Sequence, residues 1–313
     1  MAFLDISCGN YHARINAHGG GIVSLHYEGR PLIDGYSGEV PYAAGAILAP
    51  WPNRLAGGTF TWHDTTHTLP LNEENRGNAN HGLAMDAEFT VIRHEPTLLE
   101  LSHEFGNADS WPWPVKFTAT YEATSEGLTA TYAATGPEGT PFSFGLHPYL
   151  NAQGHPARES TLQAQIGYNW PLNERLLPTG GLIPASSILP GVAEGLTVGD
   201  RMLDHCFLST FNPDGYECVL SGAAGGVRMT TSHNLPWVQI FTADPAIGCT
   251  FPEGRGIAIA IEPMSAPPNV LNISADDAAV LAAATGHPVE AFFPGELRGD
   301  QAPLRYTVNF QAC

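Results

Sequence analysis

The segment Gly256-Ile257-Ala258-Ile259-Ala260-Ile261-Glu262-Pro263-Met264 sets one carboxylate into an otherwise apolar run. Alternation puts the three isoleucines on one face and Ala258, Ala260 and Glu262 on the other. Both faces are apolar, so a central, buried strand is expected. A carboxylate at the end of such a strand is costly unless it is paired or its pKa is raised, and a raised pKa is what a general base near neutrality needs. A structural salt bridge is the alternative, weakened by the scarcity of cations: Lys116 is the sole lysine. A histidine stands in comparable surroundings in Phe142-Ser143-Phe144-Gly145-Leu146-His147-Pro148-Tyr149. Phe142, Phe144 and Leu146 share one face, Ser143, Gly145 and His147 the other, and Pro148 keeps His147 extended. A histidine beyond small residues has open space in front of it, which suits a ligand cleft; a half-buried structural histidine is the alternative.

Three further constellations are weaker one by one. In Pro50-Trp51-Pro52-Asn53-Arg54 the prolines hold the backbone extended and fix Asn53 and Arg54 on a loop, where the arginine fork offers several donors. Asn78-Ala79-Asn80-His81-Gly82 reads as a tight loop exposing His81. Asp204, in Leu203-Asp204-His205-Cys206-Phe207, is an acceptor at a strand start. Each alone is also compatible with an ordinary surface position. His63 and His67 give H-x-x-x-H, which binds zinc only on a helix. Here the Thr-rich surroundings and Asp64 indicate a hairpin, so no metal site is expected. Phosphate-loop, dinucleotide and nucleophile-elbow motifs are lacking, and no cofactor is expected.

The elements that must position these groups are short and numerous. Gly (34) and Pro (26) punctuate runs of period-two alternation, the pattern of many strands joined by turns. Leu99, Leu101, His103 and Phe105 form one run; Val115, Phe117, Ala119 and Tyr121 a second. After a turn at Ser125-Glu126-Gly127 come Leu128, Ala130, Tyr132 and Ala134. Trp237, Gln239 and Phe241 share a strand face, as do Tyr306, Val308 and Phe310. One helix is expected after a Ser274 cap, with Asp277 three residues on, ending at Gly286. The pattern implies an all-β fold, a large antiparallel β-sandwich of roughly twenty strands with few short helices, in a single domain over 1–313.

Composition narrows the partners. The formal net charge of −18 and the absence of a basic run disfavour nucleic acid and anionic membranes. Five widely spaced cysteines suit reduced thiols better than a disulfide framework. The first ten residues lack a signal-peptide pattern, and no apolar run reaches membrane-spanning length. A cytoplasmic protein is expected, and the oligomeric state is left open.

Taken in order, Asn53-Arg54, Asn80-His81-Gly82, Leu146-His147-Pro148-Tyr149, Asp204 and Glu262-Pro263 resemble the aldose 1-epimerase (galactose mutarotase) family over nearly the whole chain. Phe293-Pro294-Gly295-Glu296 before the last strand fits the same pattern. The resemblance implies a β-sandwich with an open cleft, a small-molecule sugar substrate, His147 as general acid and Glu262 as general base. It implies that His81 assists near the ring oxygen while Arg54 and Asp204 hold hydroxyls. Asn53, Tyr149 and Gln239 complete the expected contacts. The Pro-Trp-Pro-Asn-Arg and His-Pro-Tyr variants look more like a bacterial branch that includes sulfoquinovose mutarotase-like members. The alternatives are a hexose-6-phosphate 1-epimerase, which should show several cations at the cleft, and a non-catalytic carbohydrate-binding protein. A glycosidase would need two carboxylates across the bond. A neutral aldohexose is expected to be favoured over its 6-phosphate.

Overall fold

Strands with alternating burial dominate the computed structural model, which describes residues 2–106, 110–251 and 256–313. Val115–Thr124 and Gly127–Thr135 show the rule: every second side chain is buried, and the expected turn at Ser125-Glu126 joins them as a hairpin. Two large antiparallel sheets result, with three two-stranded ones beside them. The larger runs in the order Phe3–Cys8, Tyr11–Asn16, Ile22–Tyr27, Arg30–Ile33, Tyr149–Leu150, Ala258–Met264, Trp237–Ala243, Asp204–Ser209, Ile166–Trp170, Ile183–Pro184. The smaller runs Thr90–Glu95, Leu98–Phe105, Val115–Thr124, Gly127–Thr135, Leu304–Ala312, Gly225–Thr231, Glu217–Gly222, Thr161–Ala164, Leu196–Thr197. Sequence-distant strands lie side by side in both.

The main core fills the space between the sheets. Leu99, Phe117, Tyr121 and Tyr132 of the smaller sheet meet Ile15, Leu25, Ile259 and Ile261 of the larger. The fold is an all-β sandwich. Among the described residues it has 27 strands, several only two residues long, which is why turn spacing suggested fewer. The helix forms at Ala275–Thr285: the Ser274 hydroxyl accepts from the Asp277 amide, and Gly286 ends it at φ 75°. His63 and His67 fall on the hairpin Thr59–Trp62/Thr65–Thr68, whose turn residues His63 and Asp64 are left-handed. No helix of the described residues is long and apolar enough to cross a membrane.

Two local expectations need correction. Glu262 lies within the strand Ala258–Met264 and not at its end, because pairing on both sides carries the ladder on to Met264. Asn53 is not extended: it turns left-handed at φ 58°, and its own side-chain oxygen accepts the Arg54 amide at 2.9 Å.

Candidate active site

Ala258–Met264 is the structural centre of the site. Its isoleucines point into the sandwich, while Ala258 and Ala260 pack beneath Tyr149 and Phe251 on the opposite side. Glu262 shares that opposite face and opens onto a cleft of about 530 Å³. On one flank, Gln239 is directly opposite Glu262 in the strand Trp237–Ala243. On the other flank, Gly145 pairs with Met264 and Tyr149 with Ala260. This shared register sets His147 opposite Glu262, at the break between two short strands. The His147 backbone is pinned there by the Ala46 carbonyl (3.0 Å) and the Gly45 amide (2.8 Å).

The side chains follow the register. His147 Nε2 lies 3.2 Å from Glu262 Oε1. The pair is buried, Glu262 at 2% and His147 at 5% exposure. Gln239 Nε2 donates to Asp204 Oδ1 at 2.5 Å, extending the polar row to a further strand. His81 arrives from outside the sheet, on the loop after Asn78–Asn80, with its ring 5.6 Å from that of His147. Its amide donates to the Asn53 carbonyl at 3.1 Å, while Arg54 pairs with Asn80. Both His81 (φ 64°) and Gly82 (φ 74°) are left-handed, and a Cβ on Gly82 would run into the Ala49 carbonyl oxygen.

Burial sets the protonation pattern. Desolvation, then the Asp204 carboxylate, pushes Glu262 well above the ordinary carboxylate range, against the pull of Arg54. Desolvation, with Arg54 adding to it, pushes His147 down to about 4 against a hydrogen bond to its own backbone. His81 is likewise driven well down by burial, by His147 and by Arg54. Burial thus disfavours charge on both members of the pair, raising Glu262 and lowering His147. Glu262 Oε2, Gln239 Oε1, His81 Nδ1, Asn80 Oδ1 and Asn53 Nδ2 have no hydrogen-bond partner among the described residues. Buried polar atoms are normally satisfied, so a cluster of unsatisfied ones beside a cleft marks where a polar ligand is held.

Comparisons with known proteins bear on the family and the fold. Residues 4–282 match the family model described as aldose 1-epimerase. The chain belongs to the aldose 1-epimerase family. It is thus an epimerase-type isomerase, a mutarotase by family. It is 26% identical over 295 residues to the uncharacterized Escherichia coli K12 protein YihR, covering 93% of this chain and 91% of that one. It is 25% identical over 230 residues to human galactose mutarotase, covering 68% and 65%. The solved aldose epimerase homologue of Caenorhabditis elegans shares the fold at a TM-score of 0.81 and 18% identity, covering 100% and 98% of the two chains. Galactose 1-epimerase of Lactobacillus acidophilus does so at 0.75 and 18%, covering 97% and 91%.

Of the residues expected from sequence, His147, Glu262, His81, Arg54, Asn53, Asp204 and Gln239 line this epimerase cleft together. Tyr149 does not: it is fully buried behind His147 and its hydroxyl donates to the Tyr42 carbonyl at 3.0 Å. Its strand is shared on both sides, so its ring is core. Sequence reasoning missed Glu73, Asn72, Asp86 and Tyr42, which also line the cleft. Glu73 holds Arg54: both its oxygens lie 3.0–3.1 Å from Arg54 Nε, and it also accepts from Arg76 (2.9 Å) and Asn78 (2.8 Å). Only the acid-rich stretch Asn72-Glu73-Glu74-Asn75-Arg76 hinted at it.

Proposed function

We propose that this epimerase interconverts the α and β anomers of a free, uncharged aldose, with Glu262 and His147 as its proton-transfer pair. The observation that carries the reading is the 3.2 Å contact between His147 Nε2 and Glu262 Oε1 at the cleft floor. Ring opening takes the proton from the C1 hydroxyl and gives one to the ring oxygen. Both oxygens are bonded to the same carbon, so acid and base must stand side by side. Glu262 removes the hydroxyl proton, the O–H electron pair becomes the C1=O bond, the C1–O bond of the ring breaks, and His147 protonates the departing oxygen. The open aldehyde rotates about C1–C2 and closes with the roles reversed. The two proton distributions of the pair are used in turn: imidazolium with carboxylate before opening, imidazole with carboxylic acid afterwards. Burial favours the second, uncharged distribution, which accompanies the open chain.

His81 is assigned to the ring-oxygen side by its edge-on approach to His147. Asp204, Gln239 and Asn53 are assigned to hydroxyl groups. An uncharged sugar is supported by the carboxylates of Asp86 and Asp204 on the cleft wall and by the pairing of Arg54 with Glu73. The site draws residues from Asn53 to Glu262, which supports reading the chain as one domain. A cytoplasmic location belongs to the same proposal, supported by five free cysteines. Polarimetry of freshly dissolved α-glucose and α-galactose tests it: the protein speeds the approach to equilibrium, before and after dialysis against EDTA. No acceleration of either sugar, or loss on EDTA with recovery on adding zinc, refutes it.

A further inference from the structure

Glu73 has no proton to move in this reaction, yet it is among the most heavily bonded side chains of the cleft. Three donors reach its carboxylate: the Arg54 Nε–H, shared between both oxygens, and one each from Arg76 and Asn78. The hydrogen bonds outweigh burial and hold its carboxyl below the ordinary range, so it stays ionised. The Arg54–Glu73 pair is 12% and 13% exposed, a site where salt screens poorly. Arg175 braces the segment from a separate loop, donating to the carbonyls of Arg76 and Gly77 at 2.7 Å each and to Asn78 Oδ1 at 3.2 Å. Arg76 and Arg175 are thereby committed to the protein's own acceptors. Arg54 is the one arginine among the described residues that lines the cleft, and its guanidinium is held by Glu73.

We infer that Glu73 sets the charge specificity of the cleft: by holding Arg54 it withholds the guanidinium from phosphate or sulfonate groups on the sugar. An incoming anion meets a guanidinium already engaged by Glu73, and the carboxylates of Asp86 and Asp204. Replacing Glu73 by a neutral isostere leaves Arg54 and Arg76 without their shared carboxylate and turns the same cleft towards anionic sugars. The assignment rests on the acid–base reading above and adds the residue that selects the substrate class.

The test is kcat/KM for glucose and for glucose 6-phosphate in the unaltered protein, Glu73→Gln, Glu73→Asp and Arg54→Gln. One unit charge removed several ångströms from a phosphate in a partly buried site shifts preference by tenfold or more. The phosphate-to-glucose ratio therefore rises at least about tenfold in Glu73→Gln, stays near the original in Glu73→Asp, and the rise shrinks in high salt. Equal loss on both sugars in Glu73→Gln, with the ratio unchanged while the unaltered protein turns over glucose, overturns the assignment and leaves the acid–base reading standing. Arg54→Gln does not depend on Glu73→Gln folding: with the guanidinium withheld, its loss changes the ratio less than about threefold. A tenfold fall there overturns the proposal, because Arg54 would already be serving anions. Turnover of neither sugar overturns both readings.

Discussion

Replacing Glu262 by Gln separates catalysis from stability at the same atom positions. The substitution keeps the side-chain shape and the place opposite Gln239 but removes the carboxylate proposed to accept the C1 hydroxyl proton. Loss of one proton-transfer group costs at least about 10²-fold in kcat/KM, equivalent to ~2.7 kcal/mol of transition-state stabilisation. Stability should move the other way with pH. Glu262 is 2% exposed and its folded pKa is raised mainly by desolvation. Below the unfolded carboxyl pKa both states carry the proton and the burial is harmless. As pH rises past it, the unfolded chain gives up the proton more readily than the folded one, and this group's contribution to stability falls. The substituted amide does not titrate, so denaturant unfolding at rising pH above the unfolded carboxyl pKa should show the variant gaining on the parent. The assay pair is polarimetry and unfolding midpoints on the same preparations. Retention of activity within tenfold, or a variant that loses stability relative to the parent as pH rises, refutes the reasoning.

His147→Asn should also lower mutarotation at least about 10²-fold. The same substitution should flatten stability between about pH 6.5 and 4: there the unfolded histidine takes its proton before the buried one does, so the parent loses about 3 kcal/mol relative to the variant as pH falls. Gly82→Ala should destabilise by about 1–3 kcal/mol and displace His81, because φ is 74° and the new Cβ would meet the Ala49 backbone oxygen. An unchanged melting temperature with full activity would show that the loop tolerates the methyl group.

The sequence by itself determined the chemistry on each strand. Alternation alone separated Ile257, Ile259 and Ile261 from Glu262, and Phe142, Phe144 and Leu146 from His147, because a two-residue period is a local property of extended backbone. The helix at Ala275–Thr285 was legible for the same reason, since its caps lie within one turn of its ends. Strand number was less so: two-residue strands such as Ile47–Leu48 exist only because a partner is present, and carry no period of their own. The tertiary structure alone decided which strands are neighbours. His147 and Glu262 face each other because Tyr149 pairs with Ala260, a register fixed by the buried isoleucine and phenylalanine faces of distant segments. That register also sent Tyr149 into the core, where its motif position had suggested a sugar contact. Glu73 was hidden for the same physical reason. A carboxylate in an irregular polar loop has no pattern, and its role comes from Arg54 and Arg76 converging on it through folded geometry that no local spacing encodes.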